Sequence, residues 1–288
     1  MLKGTSTALI TPFTNDKIDF EALEKLLEFQ LNGGVDSLVV LGTTGESATM
    51  SKEEKISVVQ FVVDFVNGRL PIIVGAGANS TSQTIENALL YTDLGADGLL
   101  MVTPYYNKCT QYGLVQHFTK VAEKISLPII LYNVPSRTGV NMLPKTFATL
   151  AEIDNIVAVK EASGNMEQIE HCIRLSKGKA CVVSGDDGLT VPTMLMGGTG
   201  VISVASNLLP NYVSSMTRAV LDGDVNTAVD MQLNLLPLVN ALFLEVNPIP
   251  VKKGAEILGL CSGDLRLPLT ELAKENCTIL KGLLRDFV

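Results

Sequence analysis

Eight short apolar runs recur along the chain. They read TSTALITPF from Thr5, SLVVLG from Ser37, PIIVGAG from Pro71, GLLMVTP from Gly98, PIILYNV from Pro128, IVAVKEAS from Ile156, ACVVSGD from Ala180 and GVISVASN from Gly200. Most are continuously apolar rather than alternating, the pattern of parallel strands covered on both faces. The stretches between them carry helical periodicity. From Asp19 to Leu31, the residues Phe20, Leu23, Leu27 and Leu31 fall on one helical face. Ser51-Lys52-Glu53-Glu54 and Ser80-Thr81-Ser82-Gln83 both read as capping boxes that open the next helices.

Eight strand–helix units within about 220 residues predict a (β/α)8 TIM barrel. The barrel is expected over residues 1–222, its eighth helix ending near 222, with a helical region at 223–288 packed on it. A doubly wound open sheet is the runner-up, but no G-x-G-x-x-G follows the first strand.

Composition narrows the functional classes. The 288 residues are 47% hydrophobic and 18% charged, a well-cored globular balance. A net charge of -8 argues against a nucleic-acid or anionic-membrane surface and favours handling of small molecules. The five cysteines (Cys109, Cys172, Cys181, Cys261, Cys277) are scattered without a C-x-x-C pair, and are expected as free thiols of a reducing compartment. With two histidines, no histidine-based metal site is expected. The N-terminal MLKGTSTALITPF lacks a signal-peptide pattern and no apolar run reaches membrane-spanning length, so the expected address is cytoplasmic.

Barrel chemistry gathers at the C-terminal ends of the strands, so the residues where each apolar run stops are the candidates. The sixth run passes from Ile156-Val157-Ala158-Val159 straight into Lys160 and Glu161. Such a lysine either pairs with a carboxylate or, desolvated, is a neutral nucleophile that attacks a carbonyl to form a Schiff base. The fifth run ends Tyr132-Asn133-Val134-Pro135-Ser136-Arg137-Thr138-Gly139. Tyr132 is a packing residue or an acid/base beside Lys160. Arg137 is a solvated charge or a planar fork for a substrate carboxylate. Tyr105 and Tyr106, adjacent in the loop after the fourth run, suggest an interface. Ser184-Gly185-Asp186-Asp187 fits an acidic metal site or a glycine carbonyl offered to substrate.

The second run ends in Gly42-Thr43-Thr44-Gly45-Glu46. A phosphate-binding loop would need a lysine after its second glycine, and Glu46 stands there instead. Two readings stay open: a turn with helix capping, or a hydroxyl pair pointing into a carbonyl site.

Five motifs in register carry a resemblance over essentially the whole chain. They are G-T-T-G-E at 42–46, Y-N-V-P-S-R-T-G at 132–139, V-K-E-A at 159–162, S-G-D-D at 184–187, and N-P-I-P-V-K at 247–252 followed by R-L-P-L at 266–269. Together they resemble the dihydrodipicolinate synthase family, within the pyruvate-dependent class I aldolase/lyase superfamily. The resemblance implies condensation of pyruvate with L-aspartate 4-semialdehyde, a step of diaminopimelate and lysine biosynthesis, with no metal or organic cofactor. It implies Lys160 as the Schiff-base lysine, Tyr132 as its acid/base, and a proton relay from Tyr132 through Thr43 to Tyr106 of a neighbouring subunit. Thr44 would hold the pyruvate carboxylate and Arg137 that of the semialdehyde, with Gly185 and Ile202 lining the pyruvate side. A homodimer or homotetramer is implied. Arg137 also decides against N-acetylneuraminate lyases, which lack it; another sugar-acid aldolase is the alternative, and a non-catalytic sensor is disfavoured by the complete catalytic set.

The resemblance further places a lysine-binding regulatory pocket at Ser47, Ala48, Lys52, Lys55, Asn79, Gln83 and Tyr105. Feedback-sensitive relatives tend to have histidine where Lys55 stands and glutamate where Gln83 stands. Losing that carboxylate removes a charge-assisted hydrogen bond worth about 1.5–3 kcal/mol, roughly one to two orders of magnitude in affinity. Weak or absent inhibition by L-lysine is therefore expected.

Overall fold

The computed structural model describes residues 2–287. Strand β1 (Gly4–Ala8) is followed by a small antiparallel pair, β2 (Phe13–Thr14) and β3 (Lys17–Ile18). Then come β4 (Ser37–Val40), β5 (Ile72–Gly75), β6 (Gly98–Val102), β7 (Ile129–Asn133), β8 (Ile156–Glu161), β9 (Cys181–Ser184) and β10 (Gly200–Ser203). All but β2 and β3 close into a parallel barrel in sequence order, with β1 pairing both β4 and β10. The (β/α)8 expectation holds. β5 and β7 start one residue after the expected Pro71 and Pro128. A proline cannot donate to the ladder, yet both prolines accept at its edge, from Leu38 and Leu99.

Between the strands run α1 (Phe20–Asn32), α2 (Lys52–Val66), α3 (Thr81–Asp93), α4 (Gln111–Ala122), the single turn α5 (Pro135–Thr138), α6 (Pro144–Leu150), α7 (Met166–Ser176), α8 (Thr190–Leu195) and α9 (Pro210–Asp222). Two helical expectations need correction. The buried face of α1 is Ala22, Leu23, Leu26, Leu27 and Gln30, while Phe20 and Leu31 are half-buried at its edges. Gln30 is inside because its amide bridges the Thr7 hydroxyl and the Ser206 carbonyl. The capping box at Ser51 and Glu54 is complete, but the one at Ser80 is half made. There Gln83 turns its side chain to Asn87 instead of back to the cap.

Alternation along the strands sorts their side chains into two cores. Ala8, Val39, Ile73, Leu100, Ile130, Tyr132, Ala158, Val183 and Ile202 fill the barrel interior. Their neighbours Leu38, Val40, Val74, Leu99, Leu131 and Val159 pack outward against the helices. This double burial is why the strands read as continuously apolar.

Gly223, at φ 83, ends α9. Beyond it, α10 (Val225–Ala241), α11 (Ile249–Ile257) and α12 (Lys274–Leu284) share a third core with α9, Leu26 and Val201.

Candidate active site

Strand phase brings the central pair together. Tyr132 of β7 pairs with Lys160 of β8 through a register shift between Ile129 and Ile130. Continued without that bulge, the pairing set by Ile129 and Ile156 would place Val159 beside Tyr132 and turn Lys160 outward. With it, Lys160 points into the interior, and its ammonium lies 4.5 Å from the centroid of the Tyr132 ring.

Lys160 is 5% exposed, and burial lowers its pKa to about 8. The Asp187 carboxylate opposes the shift and the Arg137 charge adds to it. A fall from 10.5 to about 8 makes the neutral amine about 300-fold more abundant at neutral pH. Burial raises the Tyr132 phenol, against the nearby Arg137 charge and the neighbouring Thr43 hydroxyl, so it is a proton donor at neutral pH.

Gly185 makes room for the lysine. A Cβ there would lie 2.7 Å from Ala162 Cβ and 3.0 Å from Lys160 Cε. Ile202 is fully buried in the same interior cluster.

The acidic-metal reading of Asp186 and Asp187 does not hold, because the two carboxylates serve different partners. Asp186 accepts from Gly188 N within its own turn. Asp187 accepts from the Ser203 hydroxyl and from the backbone of Val204 and Ala205 at 2.8 and 3.0 Å. It is thus pinned to the end of β10, where burial raises its carboxyl pKa, and it opposes the fall at Lys160 without a salt bridge to it. Among the described residues, no group of three or more His, Cys, Asp or Glu is placed to hold a metal ion.

The threonine turn follows β4. Leu41 adopts φ 56, a left-handed backbone that costs a non-glycine residue roughly 1–2 kcal/mol and recurs at functional sites. Thr43 to Gly45 then form one 3-10 turn. Thr43 is exposed toward Tyr132, whereas Thr44 is buried and its hydroxyl accepts from Asn247 Nδ2 at 2.9 Å. The hydroxyl proton of Thr44 is therefore free for an acceptor. Arg137, on α5, donates from Nη2 to the Asn247 carbonyl at 3.0 Å. Asn247 stands at the start of a motif noted in the sequence, but that motif did not reveal that its side chain and backbone would grip two site residues.

A cavity of about 630 Å³ reaches the Tyr132 side of this chemistry and extends into a second compartment, while Lys160, Thr44, Gly185 and Ile202 are not on its wall. Thr43, Tyr132 and Arg137 line it together with Ser47, Ala48, Lys52, Lys55, Gln83 and Tyr105. Asn79 is not on its wall; its carbonyl accepts from Asn107 instead. Desolvation lowers the pKa of Lys55. Tyr106 is 90% exposed at φ 71 and does not line the cavity of its own chain.

A (β/α)8 barrel with a part-neutral lysine under a phenol is equipped for carbonyl addition. Comparison with known proteins gives this class a family. The Dihydrodipicolinate synthetase family model matches residues 1–286, and the chain belongs to that family. It is 47% identical over 287 residues to the 4-hydroxy-tetrahydrodipicolinate synthase of Geobacter sulfurreducens, covering 100% of this chain and 99% of the relative. The enzyme of the same name from Methanocaldococcus jannaschii is 49% identical, with 99% of each chain covered. Among solved structures, the chloride-inhibited dihydrodipicolinate synthase of Acinetobacter baumannii, complexed with pyruvate, superposes with a TM-score of 0.97 at 43% identity, covering 99% of each chain.

Proposed function

We propose that this chain is a Schiff-base-forming lyase that condenses pyruvate with L-aspartate 4-semialdehyde to give 4-hydroxy-tetrahydrodipicolinate. The observation that carries the reading is the buried Lys160 ammonium against the Tyr132 ring, its pKa lowered to about 8. The neutral amine adds to the pyruvate carbonyl, and Tyr132 delivers the proton that lets water leave the carbinolamine. The iminium so formed draws electrons from the methyl carbon, which loses a proton to give an enamine. That carbon attacks the semialdehyde's aldehyde, and the adduct's amino group adds to the iminium carbon and expels Lys160.

Thr44, with its free hydroxyl proton, holds the pyruvate carboxylate, and Arg137 holds that of the semialdehyde. Thr43 links Tyr132 to a proton relay completed by Tyr106 of a second copy, since Tyr106 is 90% exposed in its own chain. The active unit is accordingly a homodimer, alone or paired into a tetramer. The reaction draws on no metal or organic cofactor, because the lysine iminium is itself the electron sink.

The second compartment is a regulatory pocket with weakened or lost affinity for L-lysine, carrying Lys55 and Gln83 and no carboxylate on its wall. We divide the chain between residues 222 and 223, with the catalytic barrel before that point and the appended helical region after it. No helix is long and apolar enough to cross a membrane among the described residues, and we place the enzyme in the cytoplasm.

Borohydride reduction in the presence of pyruvate, followed by peptide mapping, tests the mechanism: the adduct is expected on Lys160. No adduct there would overturn it. Turnover with aspartate semialdehyde but not with N-acetylneuraminate or 2-keto-3-deoxygluconate separates the synthase from the aldolase alternative.

A further inference from the structure

Glu46 and Lys252 form an ion pair with both side chains fully buried and Nζ 2.5 Å from Oε1. The remaining atoms of the pair are also engaged. Lys252 Nζ donates to the Asp264 carbonyl at 2.7 Å and lies 4.2 Å from the centroid of Phe13. Glu46 Oε2 accepts from the Arg266 backbone at 3.2 Å. Taking two charges out of water costs several kcal/mol per ion, and such a pair is often no more stabilising than apolar residues of the same volume. Stability alone is a poor reason for its presence, so its location is the better guide.

Glu46 closes the threonine turn. It adopts the left-handed conformation (φ 53, ψ 31), and its N–H donates to the Thr43 carbonyl at 3.1 Å. Lys252 lies on α11, in the same short segment as Asn247. One stretch of chain thus grips the site at three points: Lys252 on Glu46, Asn247 Nδ2 on Thr44, and the Asn247 carbonyl on Arg137.

We propose that Glu46 and Lys252 are positioning residues. Their ion pair locks segment 247–252 to the threonine turn and so aligns Thr44 and Arg137, the groups that receive the two substrate carboxylates. This inference rests on the roles given to those two residues under the proposed function. Neither Glu46 nor Lys252 touches substrate; each acts through the turn and through Asn247. The C-terminal helical region, which supplies no reacting group, thereby sets the spacing between the two carboxylate subsites.

The test compares Glu46→Gln, Lys252→Met and the double variant with the native assembly, reading thermal stability and the KM for each substrate well below the melting range. Each single variant strands one buried charge and is expected to melt lower. The double variant removes both charges and is expected to regain most of the melting temperature. Its KM for pyruvate and for the semialdehyde should nevertheless stay raised, about tenfold, while saturating pyruvate is still trapped on Lys160. A double variant that regains both stability and native KM values would show the pair to be structural only, and would overturn the proposal.

Asn247→Ala leaves the ion pair in place and keeps the question decidable if the charge variants do not fold. It removes the Nδ2 bond to Thr44 and keeps the backbone carbonyl that holds Arg137, so it should raise the KM for pyruvate and leave that for the semialdehyde nearly unchanged, whereas an unchanged pyruvate KM would refute the alignment. A native protein that fails to trap pyruvate on Lys160 would sink the proposed function instead, so the two failures are distinguishable.

Discussion

The Lys160 ammonium lies 4.5 Å from the centre of the Tyr132 ring because the two residues are register partners on adjacent strands. A bulge one turn of the pleat earlier sets that register, and both groups are largely buried. Lys160 therefore loses hydration without gaining a directly bonded carboxylate, which is what brings its pKa into the working range.

Replacing Lys160 with methionine should abolish pyruvate trapping and turnover while leaving the protein more stable. The lowered pKa corresponds to a burial penalty of about 3 kcal/mol at neutral pH, and an apolar side chain of similar length escapes it. A gain of about 1–3 kcal/mol in urea unfolding is expected; a large loss would show that the lysine is a structural partner.

The pH dependence has a definite sign. A lysine whose folded pKa is about 8 and whose unfolded value is 10.5 binds fewer protons when folded between those limits. Its contribution to stability therefore rises with pH across that window and is least favourable below pH 8. Activity runs the same way. The rate of Schiff-base formation at low pyruvate should climb through an apparent pKa near 8 and level off above it, measured by stopped-flow or timed borohydride quench.

The adjacent threonines should separate by kinetic signature. Thr43→Val, which keeps shape and loses the hydroxyl, is expected to lower kcat by about tenfold to a hundredfold with little change in melting temperature. Thr44→Val should mainly raise the KM for pyruvate, by about tenfold or more, since it removes a hydrogen bond to a charged group. Equal effects on kcat and KM in both variants would undo the division of roles.

L-Lysine at millimolar concentration should leave the rate nearly unchanged. The wall of the second compartment presents Lys52 and Lys55 and offers Gln83 in place of a carboxylate, so an added ammonium meets cations and an amide. Inhibition in the micromolar range would contradict this. Gln83→Glu is expected to strengthen whatever inhibition exists, and calorimetric titration would show it.

Much of this protein could be read from the order of its residues. Eight doubly covered strands leave eight apolar runs, and the places where those runs end mark the mouth of the barrel. Lys160, Tyr132, Arg137 and the two threonines could be singled out on that basis, because a polar residue at the end of a buried strand departs from the pattern around it. The misreadings lay where side chains choose between partners of similar strength. Gln83 turned to Asn87 instead of its cap, and where Asp186-Asp187 left two readings open, Asp187 turned to the amides after β10.

Tertiary structure alone decided the rest, and the reason is phase and distance. Strand periodicity of two says that Lys160 shares a face with Ala158, but only the bulge against β7 says that this face meets Tyr132. Nothing local joins Glu46 to Lys252 or Thr44 to Asn247, which are separated by some two hundred residues and meet only when the C-terminal helices close over the barrel mouth. The sequence determined which chemistry the chain carries. The closed barrel and its helical cover determined which groups lose water, which face each other, and hence which of them can react.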